Sequence, residues 1–155
     1  MNILRVIFPN KPWLFKKKMN DSFFGLMWFN NKDKNSESHF QCQIMFSHTN
    51  APLDIFIDSD VNGLNPNQKI LFFEFEKRYE EILESIKPHL VGRLNKVKFN
   101  ENLNLDMKSD FHIWSLVIFS IDSDNQFSIG LSSDKYKISN IRLNIKDFKF
   151  REFIN

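Results

Sequence analysis

The stretch Leu53 to Leu90, LDIFIDSDVNGLNPNQKILFFEFEKRYEEILESIKPHL, changes its hydrophobic period partway along. Leu53, Ile55 and Ile57 alternate with Asp54, Phe56 and Asp58, the two-residue period of a strand with one strongly buried face. From Phe72 the apolar residues Phe75, Tyr79, Ile82, Leu83, Ile86 and Leu90 recur at steps of three and four, which predicts one face of an amphipathic helix. Asn65 suits the N-cap, Pro66 the first helical position, and Gln68 the position where a capping box takes Glu or Gln. The spacing therefore predicts a strand that turns into one long helix from Pro66 to about Leu90, with Pro88 in its last turn and Gly92 as its stop.

The turn between them, IDSDVNGLNPNQ (Ile57 to Gln68), begins like a calcium loop. Asp58, Asp60, Asn62 and Gly63 fit the first half of an EF-hand, but its twelfth position, where a bidentate glutamate belongs, is Lys69, and Pro66 occupies the ninth. A cation at the strongest anionic position argues against metal, and no metal site or cofactor is expected. An acidic Asn-Gly turn at a strand end accounts for the same residues.

Outward from this unit, strands are predicted near Ile3–Phe8, Phe23–Phe29 and His39–Phe46 before it, and over Phe111–Ile121, Phe127–Leu131 and Ile138–Ile145 after it. In the first of the later strands Ile113, Val117 and Phe119 alternate with Trp114, Leu116 and Ile118, the pattern of a central strand covered on both faces. Between Arg93 and Asp110 the pattern is weak; Val97 and Phe99 fit a short strand, and Leu103, Leu105 and Met107 alternate with polar residues. Four strands, a helix and three strands predict a single α+β domain over residues 1–155, a mainly antiparallel sheet packed on one long helix.

A chain of 155 residues with eighteen phenylalanines can bury a sizeable core. Its net charge of +2 does not indicate a dedicated nucleic-acid binder. The local exception is KPWLFKKK, where Lys11, Lys16, Lys17 and Lys18 surround Trp13 and Phe15, a basic patch able to meet phosphates or an anionic membrane surface. Cys42 is the sole cysteine, so no intrachain disulfide forms, and its alternation with Phe40, Ile44 and Phe46 marks a buried thiol. The apolar run Ile3–Phe8 is too short for a signal-peptide core or a membrane span, so a cytoplasmic protein is expected.

Catalytic signatures are sparse. The four glycines lie too far apart for a phosphate loop, and the histidines His39, His48, His89 and His112 lack metalloprotease spacing. SIGLSSD lacks the frame of a nucleophile elbow. Asp54 and Asp58 share one strand face and leave open a small hydrolase built on clustered carboxylates or a histidine. No catalytic residue is assigned.

The segment Leu53–Leu90 resembles a group of small bacterial domains of unknown function whose pattern is a strand ending in an Asp-x-Asp-x-x-Gly turn, a Pro-x-x-Gln helix start and an aromatic-rich acidic helix. FFGLMWFNN, Phe23 to Asn31, is similar to that group's early strand. The resemblance, which covers roughly Phe23 to Leu90, implies a non-catalytic cytoplasmic protein of the immunity type that neutralises a partner toxin. The basic KPWLFKKK and the Asn-rich segment after Arg93 depart from the pattern.

At 100° per residue, Ile70 and Phe73 project away from the predicted core stripe, alongside Glu74, Lys77 and Glu81. Two bulky apolar residues on a charged helix face admit two readings. Either Trp13 and Phe15 fold over them, or the five residues form a partner-binding surface with an aromatic anchor in a charged rim.

Overall fold

The computed structural model describes residues 17–30, 38–59, 62–97, 103–119 and 125–154. The expected strand Ile3–Phe8 and the residues Trp13, Phe15 and Phe99 lie outside them. The chain is a mixed α/β protein dominated by one eight-stranded sheet. Strands β1 (Lys17–Asp21), β2 (Gly25–Asn30), β3 (His39–Phe46) and β4 (Ala51–Asp58) are followed by helices α1 (Pro66–Lys77), α2 (Tyr79–Val97) and the short α3 (Met107–Asp110). Strands β5 (His112–Ile118), β6 (Gln126–Ser133), β7 (Ile138–Lys146) and β8 (Lys149–Ile154) complete the sheet. Spatial order follows chain order, and among the described strands the one parallel pairing is β4 with β5, bridged by the helices.

The strand-to-helix junction forms as its residues dictate. The Asn65 side chain accepts from the Asn67 amide at 2.9 Å, and Gln68 Oε1 accepts from the Asn65 amide at 3.0 Å. Gln68 does more than cap. It is buried, and its Nε2 donates to the Asp58 carbonyl at 2.6 Å and reaches the Phe119 carbonyl at 3.5 Å, tying the helix start to the ends of the two parallel strands. Gly63 takes φ +125°, a region closed to side chains, which explains the Asn-Gly turn. Lys69 turns to Asp21 on β1, with 2.6 Å between charged atoms. Asp60 of the calcium-like loop lies outside the described residues.

Several expectations are corrected. The single long helix is two helices, separated at Arg78 (φ −102°, ψ 15°), although the hydrogen-bond ladder continues through Arg78 N to Glu74 O and Ile82 N to Arg78 O, both 3.0 Å. Gly92 does not stop the second helix, which runs through Pro88 and on to Val97, so Val97 is helical where a short strand was expected to begin; Met107 opens a helical turn. Phe23 and Phe24 belong to a turn, and β1 and β8, unread in the sequence, are edge strands whose charged residues mask their pairing.

β5 is a central strand as expected, but the assignment of its residues to the two faces is corrected. Its pairing with β6 slips between Ile113 and Ser115. This bulge inverts the alternation, so Ile113, Leu116 and Ile118 all face the core against Leu131, Ile129 and Phe127, while Trp114 turns to the opposite face. There its indole lies over Gly130, where a Cβ would sit 2.7 Å from the ring.

Core residues of the sheet meet one continuous stripe of the helices, Phe72, Phe75, Tyr79, Ile82, Leu83, Ile86, Leu90 and Leu94, all buried. Phe75 stands at the centre, with ring centroids 5.6 Å from both Phe46 and Phe127. Cys42 is buried in the same core, and that burial pushes its thiol pKa up to about 12, so it is a protonated packing residue.

Candidate functional site

The outer side of α1 carries the largest exposed apolar residues of either helix. Ile70 is 58% and Phe73 48% exposed, and the turn between β1 and β2 adds Phe23 at 41%. The Phe23 and Phe73 rings are 4.6 Å apart. Asp21 sets this contact: its carboxylate accepts from the amides of Phe23 (2.9 Å) and Phe24 (3.1 Å), forming the side-chain turn that aspartate favours, and its other oxygen holds Lys69 of α1. Burial alone would raise the Asp21 pKa, but the Lys69 side chain and the two amides outweigh it and hold the carboxyl below its usual value. Phe24 then turns inward onto Phe72 at 5.3 Å while Phe23 stays outside.

Charged groups border this patch. Glu74 meets Lys77 at 3.6 Å and Arg78 at 3.4 Å, and Glu81 is exposed on the next turns. Ile70, Phe73, Glu74, Lys77 and Glu81 therefore occupy one outward stripe. The cover expected from Trp13 and Phe15 lies outside the described residues; Phe23, which the sequence offered as a strand residue, is the aromatic that meets Phe73. An apolar centre within a rim of ion pairs can desolvate against an apolar partner while the rim sets orientation.

A second concavity, about 410 Å³, is lined by His48, Tyr79, Ser109, Asp110, His112 and Lys135 among others. Asp110 is its buried charge. The carboxylate accepts from Lys135 Nζ at 2.7 Å, the Tyr136 hydroxyl at 3.1 Å and the Asp106 amide at 3.0 Å. The Lys135 hydrogen bond above all holds the Asp110 carboxyl below its usual range. An ionised, fully engaged carboxylate has no proton to donate near neutrality; it fastens α3 to the β6–β7 turn.

Of the candidates for a hydrolase, His48 and His112 line this cleft, but the carboxylates Asp54 and Asp58 do not join them. Asp54 and Asp58 sit on the sheet face away from the helices, where Asp54 accepts from Gln43 at 2.8 Å, and neither lines this cleft. Lys17 and Lys18 are successive residues of β1, so they point to opposite faces and form no continuous patch; Lys11 and Lys16 lie outside the described residues. Among the described residues no group of three or more His, Cys, Asp or Glu side chains is arranged to hold a metal, and no described helix is long and apolar enough to cross a membrane.

No protein-family model matches the chain, and neither a curated protein nor a solved structure matches it significantly. The likeness to the immunity-type domains thus rests on the residues quoted for it.

Proposed function

We propose that this protein is a non-catalytic protein-binding module that docks another protein on the outer face of α1, with Phe23, Ile70 and Phe73 as anchor and Glu74, Lys77 and Glu81 as rim. The observation that carries the proposal is the exposed Phe23–Phe73 ring pair, held by Asp21 and Lys69 and bordered by charge. Large aromatics fixed in advance lose little side-chain entropy on binding, and such anchors concentrate interface energy. The resemblance adds a narrower reading, an immunity protein whose partner is a toxin.

The test is capture of a partner from lysate of the native cell by the tagged chain and by Phe73→Asp. The variant should melt within a few degrees of the parent, because Phe73 is half exposed, while partner affinity falls by about 2 kcal/mol or more. Capture of no stoichiometric partner, or of one held equally by both chains, refutes the reading. Co-expression with the captured protein then tests the narrower one: restored growth supports a toxin, and a partner harmless on its own removes that role.

A further inference from the structure

Helix α2 changes charge along its length. Glu80, Glu81 and Glu84 occupy its first half; Lys87, His89, Arg93 and Lys96 follow, with no further carboxylate. The helix dipole favours this order and accounts for Lys96 in the last turn. It does not account for Pro88 and Gly92, the two poorest helix formers, one turn apart inside the helix. A Cβ on Gly92 would meet no atom within 4 Å, so packing does not demand the glycine.

The missing side chain leaves open a groove of about 580 Å³, lined by Pro88, His89, Gly92, Arg93, Lys96 and Phe153. Flat groups are stacked along it. The His89 ring lies on Phe150 at 4.0 Å between centroids and 23° between planes, and the Arg93 guanidinium lies over Phe153 at 4.5 Å. His89 is exposed, so its other face is turned to solvent. Arg93 and Lys96 pair with no carboxylate among the described residues. Held flat on Phe153, Arg93 keeps its N–H edge for a planar or tetrahedral oxyanion.

We propose that this groove binds a segment of single-stranded nucleic acid, with a phosphate on Arg93 and Lys96 and a base stacked on the free face of His89. Cations beside an open ring face are the two elements such binding requires. A strand fits better than a free nucleotide because His89, Arg93 and Lys96 are spread over about two turns of α2, roughly 10 Å along its axis. The site is separate from the Phe23–Phe73 patch and does not depend on the reading given to it.

The test is fluorescence anisotropy of the full chain with short labelled oligothymidylate and oligouridylate, from about 50 to 200 mM salt. Binding should weaken as salt rises, and Arg93→Gln or Lys96→Gln should each lower the salt slope by about one. Gly92→Leu should fill the groove and weaken binding while leaving the thermal midpoint equal or higher, since leucine is the better helix former. His89→Ala should weaken oligonucleotide binding and leave inorganic polyphosphate binding unchanged. The proposal is overturned by absence of binding, by affinities that Gly92→Leu and Arg93→Gln leave intact, by a mononucleotide binding as tightly as the oligomer, or by an acidic peptide that binds more tightly and displaces it.

Discussion

Phe73 and Phe75 are two residues apart on one helix, and the fold assigns them opposite fates. Phe75 is 0% exposed and packs its ring against Phe46, Phe72, Tyr79 and Phe127. Truncation to alanine removes the side chain from the middle of the sheet–helix layer and leaves a cavity walled by rings, for which large core aromatics lose about 3–5 kcal/mol. At this chain length each kcal/mol lowers the melting midpoint by about 2–4 °C, so Phe75→Ala should melt roughly 6–20 °C early. Phe73, 48% exposed and in ring contact with Phe23 and Phe72, should lose less than about 1 kcal/mol on the same truncation. Urea unfolding followed by tryptophan fluorescence measures both, with an unchanged m-value confirming that the same folded state is compared. Equal losses in the two variants, or a Phe75 loss under about 1 kcal/mol, would show that the helix is rotated from the position described and would sink both the core and the interface assignments.

Three further outcomes follow from single contacts. The folded pKa of Asp110 lies below its unfolded value, so the folded state binds fewer protons and the stabilisation is complete above about pH 4 and is lost as pH falls through the lowered folded value; Asp110→Asn should therefore cost stability at pH 7, by about 2 kcal/mol, and the gap from the parent should close in acid melts. Gln68→Glu replaces the donor facing the Asp58 and Phe119 carbonyls with an acceptor, and chemical denaturation at pH 7 should show a loss of about 2–3 kcal/mol, larger than the roughly 1 kcal/mol of Asn65→Ala. A methyl on Gly130 would meet the Trp114 ring at 2.7 Å, so Gly130→Ala should shift the near-ultraviolet circular dichroism and cost about 1–3 kcal/mol, and an unchanged spectrum would mean the indole lies elsewhere.

What the sequence showed plainly was the junction. Its signals are local: Asn65, Pro66 and Gln68 act within one turn of each other, and the stripe from Phe72 to Leu90 needs only helical geometry. The outward placement of Ile70 and Phe73 follows from that same geometry. Phe23 was not legible as their neighbour, because nothing near it in the chain tells that Asp21 would fold the turn and Lys69 would pin it to a helix more than forty residues away. Strand β8 escaped notice because its hairpin turn uses Asp147 and Phe148 at φ 50° and 62°, where glycine or asparagine usually announces the reversal. Burial of Phe148 against Phe127 offsets that unfavourable backbone. The bulge at Trp114 hid the true faces of β5, since a one-residue slip leaves composition untouched and reverses every side chain after it. The groove beside β8 was invisible for the same reason as the strand.

The lone parallel pairing has a consequence for how the chain reaches this fold. All other adjacent strands in the described sheet are antiparallel and joined, among the described residues, without an intervening helix, so each four-stranded half can zip up from short-range hairpins. Asp54 and Ser115, partners across the β4–β5 seam, meet only after a loop containing both long helices has closed. Until then β4 and β5 each offer an unpaired edge, and at high protein concentration the first half of one molecule encounters the second half of another with the same complementary register. Refolding should therefore yield exchanged dimers in proportion to concentration, and dilution, more than temperature, should govern recovery of the monomer.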